Sequence, residues 1–354
     1  MNPVRIGIIG CGPIAQAAHL PATVKARNAV LSAVCDRSEA LRSAACVTHG
    51  AQHAYADADE LLADAHIEAV ILAVADPFHV PLAIAALRAG KHVLVEKPVA
   101  DELYAAQSLE AVAQQTDRIV HIGNNKRADP AIAYAHDMAW HSLGQRIAYR
   151  GWYCDSHARY TVTDNLQPTF VRATDVVRPA EDPKKDRRRY LLLTHGSHLV
   201  DTARFLCGPI VQVQTQYLER ADARCWFSAV TFADGTLGHL DLTITLQGDH
   251  HEGFQLYSER GSIQAKTYLP WFLKSSDVEV FTSADQQYHR PLAADGYTYR
   301  RQIEHFCDAI RGIAQPHAAT ITDGVAAVAV LTAMTRSVEQ GGTWVAIADA
   351  TGLP

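Results

Sequence analysis

The stretch Val4-Arg5-Ile6-Gly7-Ile8-Ile9-Gly10-Cys11-Gly12-Pro13-Ile14-Ala15 decides the fold. A branched-aliphatic run leads straight into Gly-x-Gly-x-x-Ala, and a helical pattern opens at Pro13, a residue suited to a helix's first turn. Gly10 permits the tight turn, Gly12 lets the backbone approach a pyrophosphate with no Cβ in the way, and Ala15 allows close helix–strand packing. With Pro13 and Ile14 at its start, the helix offers free N–H groups and a positive dipole end to phosphates. Asp36 ends the next apolar run, about twenty residues on, where a carboxylate accepts hydrogen bonds from ribose hydroxyls and repels a 2′-phosphate. That points to NAD. Arg37 keeps NADP open, because a guanidinium can stack on adenine or pair with a 2′-phosphate.

Outward from this turn, short apolar runs alternate with helical patterns. Strands are expected at Val4 to Ile9, Val30 to Cys35, Ala69 to Val74, His92 to Glu96 and Ile119 to Gly123. Helices are expected at Pro13 to Lys25, Ser38 to His49, Val80 to Ala89 and Asp101 to Gln115. This is the pattern of a doubly wound parallel α/β sheet. From about Arg146 the period shifts to alternation, as in Ile210 to Tyr217, Cys225 to Phe232 and Thr236 to Thr245, which predicts an α+β domain with a mostly antiparallel sheet. Helical patterns return at Tyr297 to Arg311 and Asp323 to Gln340. The expected division is a nucleotide-binding domain over 1–123 and a substrate-binding and oligomerisation domain over 124–354. The proline- and charge-rich stretch from Asp175 to Arg189 reads as an exposed loop.

The chain has 354 residues, 48% of them hydrophobic, with a formal charge of −6, so it can build sizeable cores and lacks the basic surplus that nucleic acid selects. No apolar run of membrane-spanning length is evident in this reading. The start of the chain enters a strand without a leader pattern, so a cytoplasmic location is expected. Seven cysteines are scattered with no Cys-x-x-Cys spacing, which suggests reduced thiols.

Four islands resemble the Gfo/Idh/MocA oxidoreductases, named for glucose–fructose oxidoreductase and inositol dehydrogenase. They are the glycine turn, Ala83 to Pro98 (AIAALRAGKHVLVEKP), Asn125 to Pro130 (NKRADP) and Gly196 to Asp201 (GSHLVD). The resemblance implies a Rossmann domain followed by a domain with a large open sheet, and hydride transfer between a nicotinamide and a sugar, polyol or related hydroxyl compound. It implies that Lys97 is the catalytic lysine, whose ammonium stabilises alkoxide character on the reacting oxygen. Glu96 would orient the cofactor or the lysine. His198 matches the family histidine and suits general acid–base work. The family commonly has an aspartate four residues earlier; here Thr194 stands there, a hydroxyl that cannot carry the charge that raises an imidazole's basicity. Asn125 matches an asparagine near the nicotinamide end and Arg127 the arginine after it. Asp76 and His79 fall where the family contacts the cofactor ribose. The resemblance also implies a homo-oligomer, dimer or tetramer, formed through the open sheet.

Trp152, Tyr153, Asp155 and His157 follow an expected strand and are candidates for reading substrate, since aromatic faces cover sugar C–H surface while polar groups read hydroxyls. His195 is a second imidazole beside His198, and Tyr297, with Arg300, opens a late helix. His195, His198 and Asp201 fall at helical spacing, but no metal site is assigned, because the family match already accounts for two of them. Asp249-His250-His251-Glu252 reads as a polar hairpin tip. Two other functions stay open: a lyase or glycosidase that uses tightly bound NAD transiently, and a non-catalytic NAD-binding regulator.

Overall fold

The computed structural model describes residues 2–176, 178–180 and 183–348. They form two compact units: Met1–Ala128 with Gln167–Lys185 and Tyr299–Val325, and Asp129–Leu166 with Asp186–Thr298 and Ala326–Pro354.

The first unit carries a six-stranded parallel sheet of β1 (Val4–Ile9), β2 (Ala29–Cys35), β3 (His53–Tyr55), β4 (Ala69–Leu72), β5 (His92–Val95) and β6 (Val120–Ile122). Their spatial order, β3-β2-β1-β4-β5-β6, is the doubly wound arrangement of dinucleotide-binding sheets. The central strands are apolar on both faces, as expected where crossover helices cover the sheet: Ile6, Ile8, Val70, Ile71 and Leu94 are fully buried. The helices are α1 (Leu20–Lys25), α2 (Glu39–His49), α3 (Ala58–Ala63), α4 (His79–Arg88) and α5 (Leu103–Ala113). Ahead of α1, residues 13–19 are already helical, with a π-helical stretch over Ala15–His19.

The second unit contains α6 (Pro130–His141), β7 (Arg146–Ser156), α7 (Ala158–Leu166) and α8 (Arg187–Cys207). Strands β8 (Ile210–Arg220), β9 (Ala223–Phe232), β10 (Leu237–Leu246), β11 (His251–Ser258), β12 (Gly261–Thr267), β13 (Asp277–Thr282) and β14 (Gln287–His289) follow. Near the end come α9 (Thr298–Ile310), α10 (Ile321–Glu339) and β15 (Trp344–Ala346). The nine-stranded sheet runs β14-β13-β12-β11-β7-β10-β9-β8-β15, antiparallel except for the β10–β7 pair. Period-two alternation turns Trp226, Val230 and Phe232 of β9 inward while Phe227 stays exposed. Two glycines let α8 approach closely. A Cβ at Gly151 would stand 3.1 Å from Leu199, and one at Gly196 would stand 2.8 Å from Leu331 of α10.

Three sequence readings need correction. Arg187, Arg188 and Arg189 are not loop but the first turn of α8, where the Asp186 carboxylate accepts a hydrogen bond from the Arg189 N–H and caps the helix. His250 and Glu252 are not a solvated tip; both are largely buried. Finally, α10 is by length and composition apolar enough to cross a membrane, with mean hydropathy 1.3. Half of it is buried, and Val330, Leu331 and Met334 belong to the core of the second unit. All seven cysteines are free; Cys11, Cys35, Cys207 and Cys307 are buried, while Cys46, Cys154 and Cys225 are partly exposed.

Candidate functional site

In the first unit the glycine turn floors a pocket of about 720 Å³, within the usual range for small-molecule sites. Gly10, Gly12, Pro13, Ile14, Asp36 and Arg37 all line it. Gly10 has φ +94°, and a Cβ there would fall 2.5 Å from the Ala73 carbonyl oxygen, so only glycine fits between β1 and the end of β4. Gly12 is the opposite case. A Cβ there would meet nothing within 4 Å, because its side faces the open pocket. Asp36 is pinned by backbone: Oδ2 accepts the Cys11 N–H at 2.9 Å and Oδ1 the Ser38 N–H at 2.9 Å. An open cradle at a helix start, with a fixed carboxylate beside it, fits a dinucleotide's pyrophosphate and ribose. The sequence reading missed one wall. Val171 exchanges hydrogen bonds with the Gln16 side chain, and Val176 lines the pocket, so part of the 167–185 segment borders it.

Lys97 follows β5 at its carboxyl end, half-buried, and the Lys97–Pro98 peptide is cis. Glu96 is buried and committed. Its Oε1 lies 2.7 Å from His19 Nε2, and its Oε2 accepts the Lys97 N–H at 3.1 Å. Burial alone would raise the Glu96 carboxyl, yet the His19 hydrogen bond and the charges of His19, Lys97 and His79 hold it below its ordinary value. Its contacts therefore run to protein groups, and its grip on the start of Lys97 is through the backbone. Asp76 is raised, chiefly by burial, against the lowering charges of His79 and Lys97. His79 is fully buried, with Nδ1 2.8 Å from the Pro98 oxygen and Nε2 3.2 Å from the Val74 oxygen. It ties the segment after β4 to the segment after β5. Asn125 is buried in a 3₁₀ turn, and Arg127 pairs with Asp323 at 3.1 Å. Arg300 pairs within its own helix with Glu304 at 2.8 Å.

The second unit gathers a cluster on the face of β7 covered by α8. Tyr153 stacks on His198, the ring centroids 6.0 Å apart and the planes 2° from parallel, and meets His195 and His250 edge-on. Asp155 lies beneath. Its Oδ2 is 3.3 Å from His195 Nε2 and 3.1 Å from Arg159 Nη1, and its Oδ1 is 3.7 Å from His250 Nδ1. Burial opposes ionisation of Asp155, but His195, the nearby His250 and the Arg159 charge carry it well below the usual carboxylate range. Thr194, one residue from His195, has its Oγ1 3.0 Å from His195 Nδ1.

Tyr153 and Asp155 thus share a face with His195 and His198, whereas the alternation of β7 sends Trp152 to the other side. There it stacks on His251 with centroids 5.5 Å apart. His157 is exposed just beyond β7, and Tyr297 is half-buried ahead of α9. Arg159, His250 and Glu252 were missed as members of this cluster. The Asp-His-His-Glu run was visible, but its partner Asp155 lies far away in the chain and meets it only through the β7–β11 pairing.

Comparison with known proteins agrees with both units. Residues 4–124 match the NAD-binding Rossmann-fold domain of the GFO/IDH/MocA oxidoreductase family, and residues 181–347 match its C-terminal alpha/beta domain. The chain is 24% identical over 270 residues to an inositol 2-dehydrogenase of Rubrobacter xylanophilus, covering 74% of this chain and 71% of that one. It is 26% identical over 349 residues to inositol 2-dehydrogenase 2 of Saccharopolyspora erythraea, covering 96% and 94%. A levoglucosan dehydrogenase solved with NADH and L-sorbose shares the fold, with a TM-score of 0.79 at 20% identity over 98% of this chain and 99% of that one. With both family domains matched, the chain belongs to the Gfo/Idh/MocA family of NAD-binding oxidoreductases.

Proposed function

We propose that this oxidoreductase transfers hydride between NAD and a secondary hydroxyl or ketone of a cyclic polyol, sugar or glycoside. The observation that carries the reading is Lys97 at the carboxyl end of β5, in the same unit as a glycine-floored pocket with Asp36 on its wall. Relatives named inositol 2-dehydrogenase and a structural neighbour that is a levoglucosan dehydrogenase in complex with NADH and L-sorbose support the substrate class. When bound, the nicotinamide accepts or returns the hydride. In this reading the Lys97 ammonium donates a hydrogen bond to the reacting oxygen and stabilises its developing charge. His198 takes the hydroxyl proton in oxidation and returns it in reduction.

Residues 1–123 serve the cofactor, with Val176 of the later chain adding to the pocket wall, and 124–354 otherwise serve the substrate and assembly. Asp76, His79, Glu96 and Asn125 belong to the cofactor side in this reading, and Arg127, paired with Asp323, to the substrate side. Exposed Ile147, Phe227, Leu237, Tyr257 and Trp344 on the large sheet support a homo-oligomer, dimer or tetramer. A cytoplasmic location with neither membrane nor nucleic acid as partner completes the reading.

The test is Lys97→Ala assayed with inositols, aldoses and glycosides under NAD. It should lower kcat by at least about 100-fold while NAD affinity stays. Unchanged turnover would remove Lys97 from the chemistry. Product formed without net accumulation of reduced cofactor would favour the transient-NAD lyase or glycosidase instead.

A further inference from the structure

Position 194 holds a hydroxyl where the family resemblance implies a carboxylate, and the structure shows what backs that hydroxyl. Thr194 Oγ1 lies 3.0 Å from His195 Nδ1, and His195 Nε2 lies 3.3 Å from Asp155 Oδ2. Hydroxyl, imidazole and carboxylate form one line from α8 to β7. Two protonation patterns satisfy it. In one, His195 is an imidazolium: Nε2–H faces the Asp155 carboxylate, Nδ1–H faces the Leu191 oxygen at 3.2 Å, and the Thr194 hydroxyl donates to the Tyr190 oxygen at 2.8 Å. In the other, His195 is neutral, Nε2–H still faces Asp155, and the Thr194 hydroxyl turns to donate to Nδ1. The patterns differ by one proton and one hydroxyl rotation.

We propose that Thr194, His195 and Asp155 are a proton-holding relay that restores, through an imidazole, the basic group that position 194 lacks. All three are positioning residues. They fix the charge beside His198, one turn along α8, and Tyr153 packs against both imidazoles. This rests on the hydride-transfer reading only for its role in turnover; the proton storage stands on the cluster itself. Among the described residues, the other charged or titratable groups that face the relay include Arg159 of α7, Tyr153 of β7, His198 of α8, and His250, which in turn lies 3.5 Å from Glu252 of β11.

The experiment is a pH titration of the full chain with ¹⁵N-labelled histidine, followed by NMR. The His195 signals are identified by their loss in His195→Gln. Asp155→Asn removes the carboxylate from the charged pattern, so the His195 midpoint should fall by at least about one pH unit, a tenfold change in proton affinity. Thr194→Val removes a donor to Nδ1 from the neutral pattern and leaves the Leu191 oxygen for the charged one, so the midpoint should rise. A simple packing role for Thr194 predicts no rise. The second readout is the pH profile of kcat/KM, whose acidic limb should move in opposite directions in the two variants.

If Asp155→Asn does not fold, the Thr194→Val titration decides. A His195 midpoint unmoved in the folded variants overturns the relay, whatever the enzyme turns over. A moved midpoint in a protein that oxidises no polyol or sugar supports the proton storage and overturns the hydride-transfer reading. Turnover with a pH profile unmoved in both variants overturns the relay's part in turnover.

Discussion

Asp36 and Asp155 are two buried or half-buried carboxylates held in opposite ways. Asp36 in the first unit accepts from two backbone N–H groups, that of Cys11 in the glycine turn after β1 and that of Ser38 just ahead of α2. Asp155 in the second unit accepts one backbone N–H, from Ser156, and is otherwise surrounded by His195, Arg159 and His250 from separate elements. Backbone amides carry no ionisable proton, so the partners that hold Asp36 keep one charge state. The imidazoles and guanidinium around Asp155 are ionisable side chains, so charge as well as position is set there.

The histidines divide in the same manner. In the first unit His92, His121 and His305 are all pushed down to about 4, first by burial and then by neighbouring cationic or histidine groups, so this unit favours them neutral. In the second unit His195 and His250 instead flank the Asp155 carboxylate. His19 against Glu96 is the counterpart of that pairing among the buried histidines of the first unit.

The largest expected effect falls on the rigid side. Gly10→Ala forces a side chain into a positive-φ position against the Ala73 carbonyl, and should cost about 3 kcal/mol of stability, read as a shift in denaturant midpoint. Gly12→Ala meets no protein atom, so stability should stay within about 0.5 kcal/mol. Its methyl would project into the pocket, and NAD affinity should fall at least about tenfold, roughly 1.4 kcal/mol. Retained affinity in Gly12→Ala would break the picture of the first unit as a backbone cradle.

Next comes acid sensitivity. A histidine whose folded pKa is depressed adds stability that is fully present above its unfolded value of about 6.5 and is lost as pH falls through the folded value. For His121 that window runs down to about 4. Asp155, also depressed, adds stability that is intact above its unfolded value of about 4 and declines only below it. Between pH 6.5 and 4.5, roughly, the loss of Tm should therefore come from the first unit's histidines. His121→Gln should flatten that limb, by roughly 1–3 kcal/mol at its acid end. An unchanged slope would mean that the two units do not differ in how they treat imidazoles.

How much of this was legible follows from the same contrast. Gly10, Gly12, Pro13 and Asp36 act within one strand–helix–strand unit, β1 to the end of β2, so spacing alone exposed them, and β1, β2 and the long strands of the second sheet showed in hydrophobic period. Strands β3, β14 and β15 have three residues each at sheet edges and are largely exposed, so they lack the apolar run that made the equally short but buried β6 legible. Glu96 was legible as a residue but not as a partner of His19, which sits on the π-helical stretch 77 positions earlier. Thr194 was visible as a departure, but the carboxylate behind it was hidden, because Asp155 reaches α8 only after β7 is packed under it. Even the cluster's faces required the fold. Trp152 and Tyr153 are neighbours in sequence, and only the strand's alternation separates them.

The smallest predicted effect tests whether the rigid carboxylate selects the cofactor. Asp36→Asn keeps the size and one acceptor but removes the charge, and it turns an N–H₂ toward one of the two backbone N–H groups. The preference for NAD over NADP, measured as the ratio of dissociation constants, should fall about tenfold, roughly 1.4 kcal/mol. Exposed Arg37 on the same pocket wall can then pair with a 2′-phosphate without a competing carboxylate. Adding Arg37→Ala should therefore cost NADP more than NAD in the Asp36→Asn background, and have less effect on the ratio when Asp36 is present. If the two substitutions act on the ratio independently, the selection is simple charge repulsion by Asp36, and Arg37 lies outside the phosphate's reach.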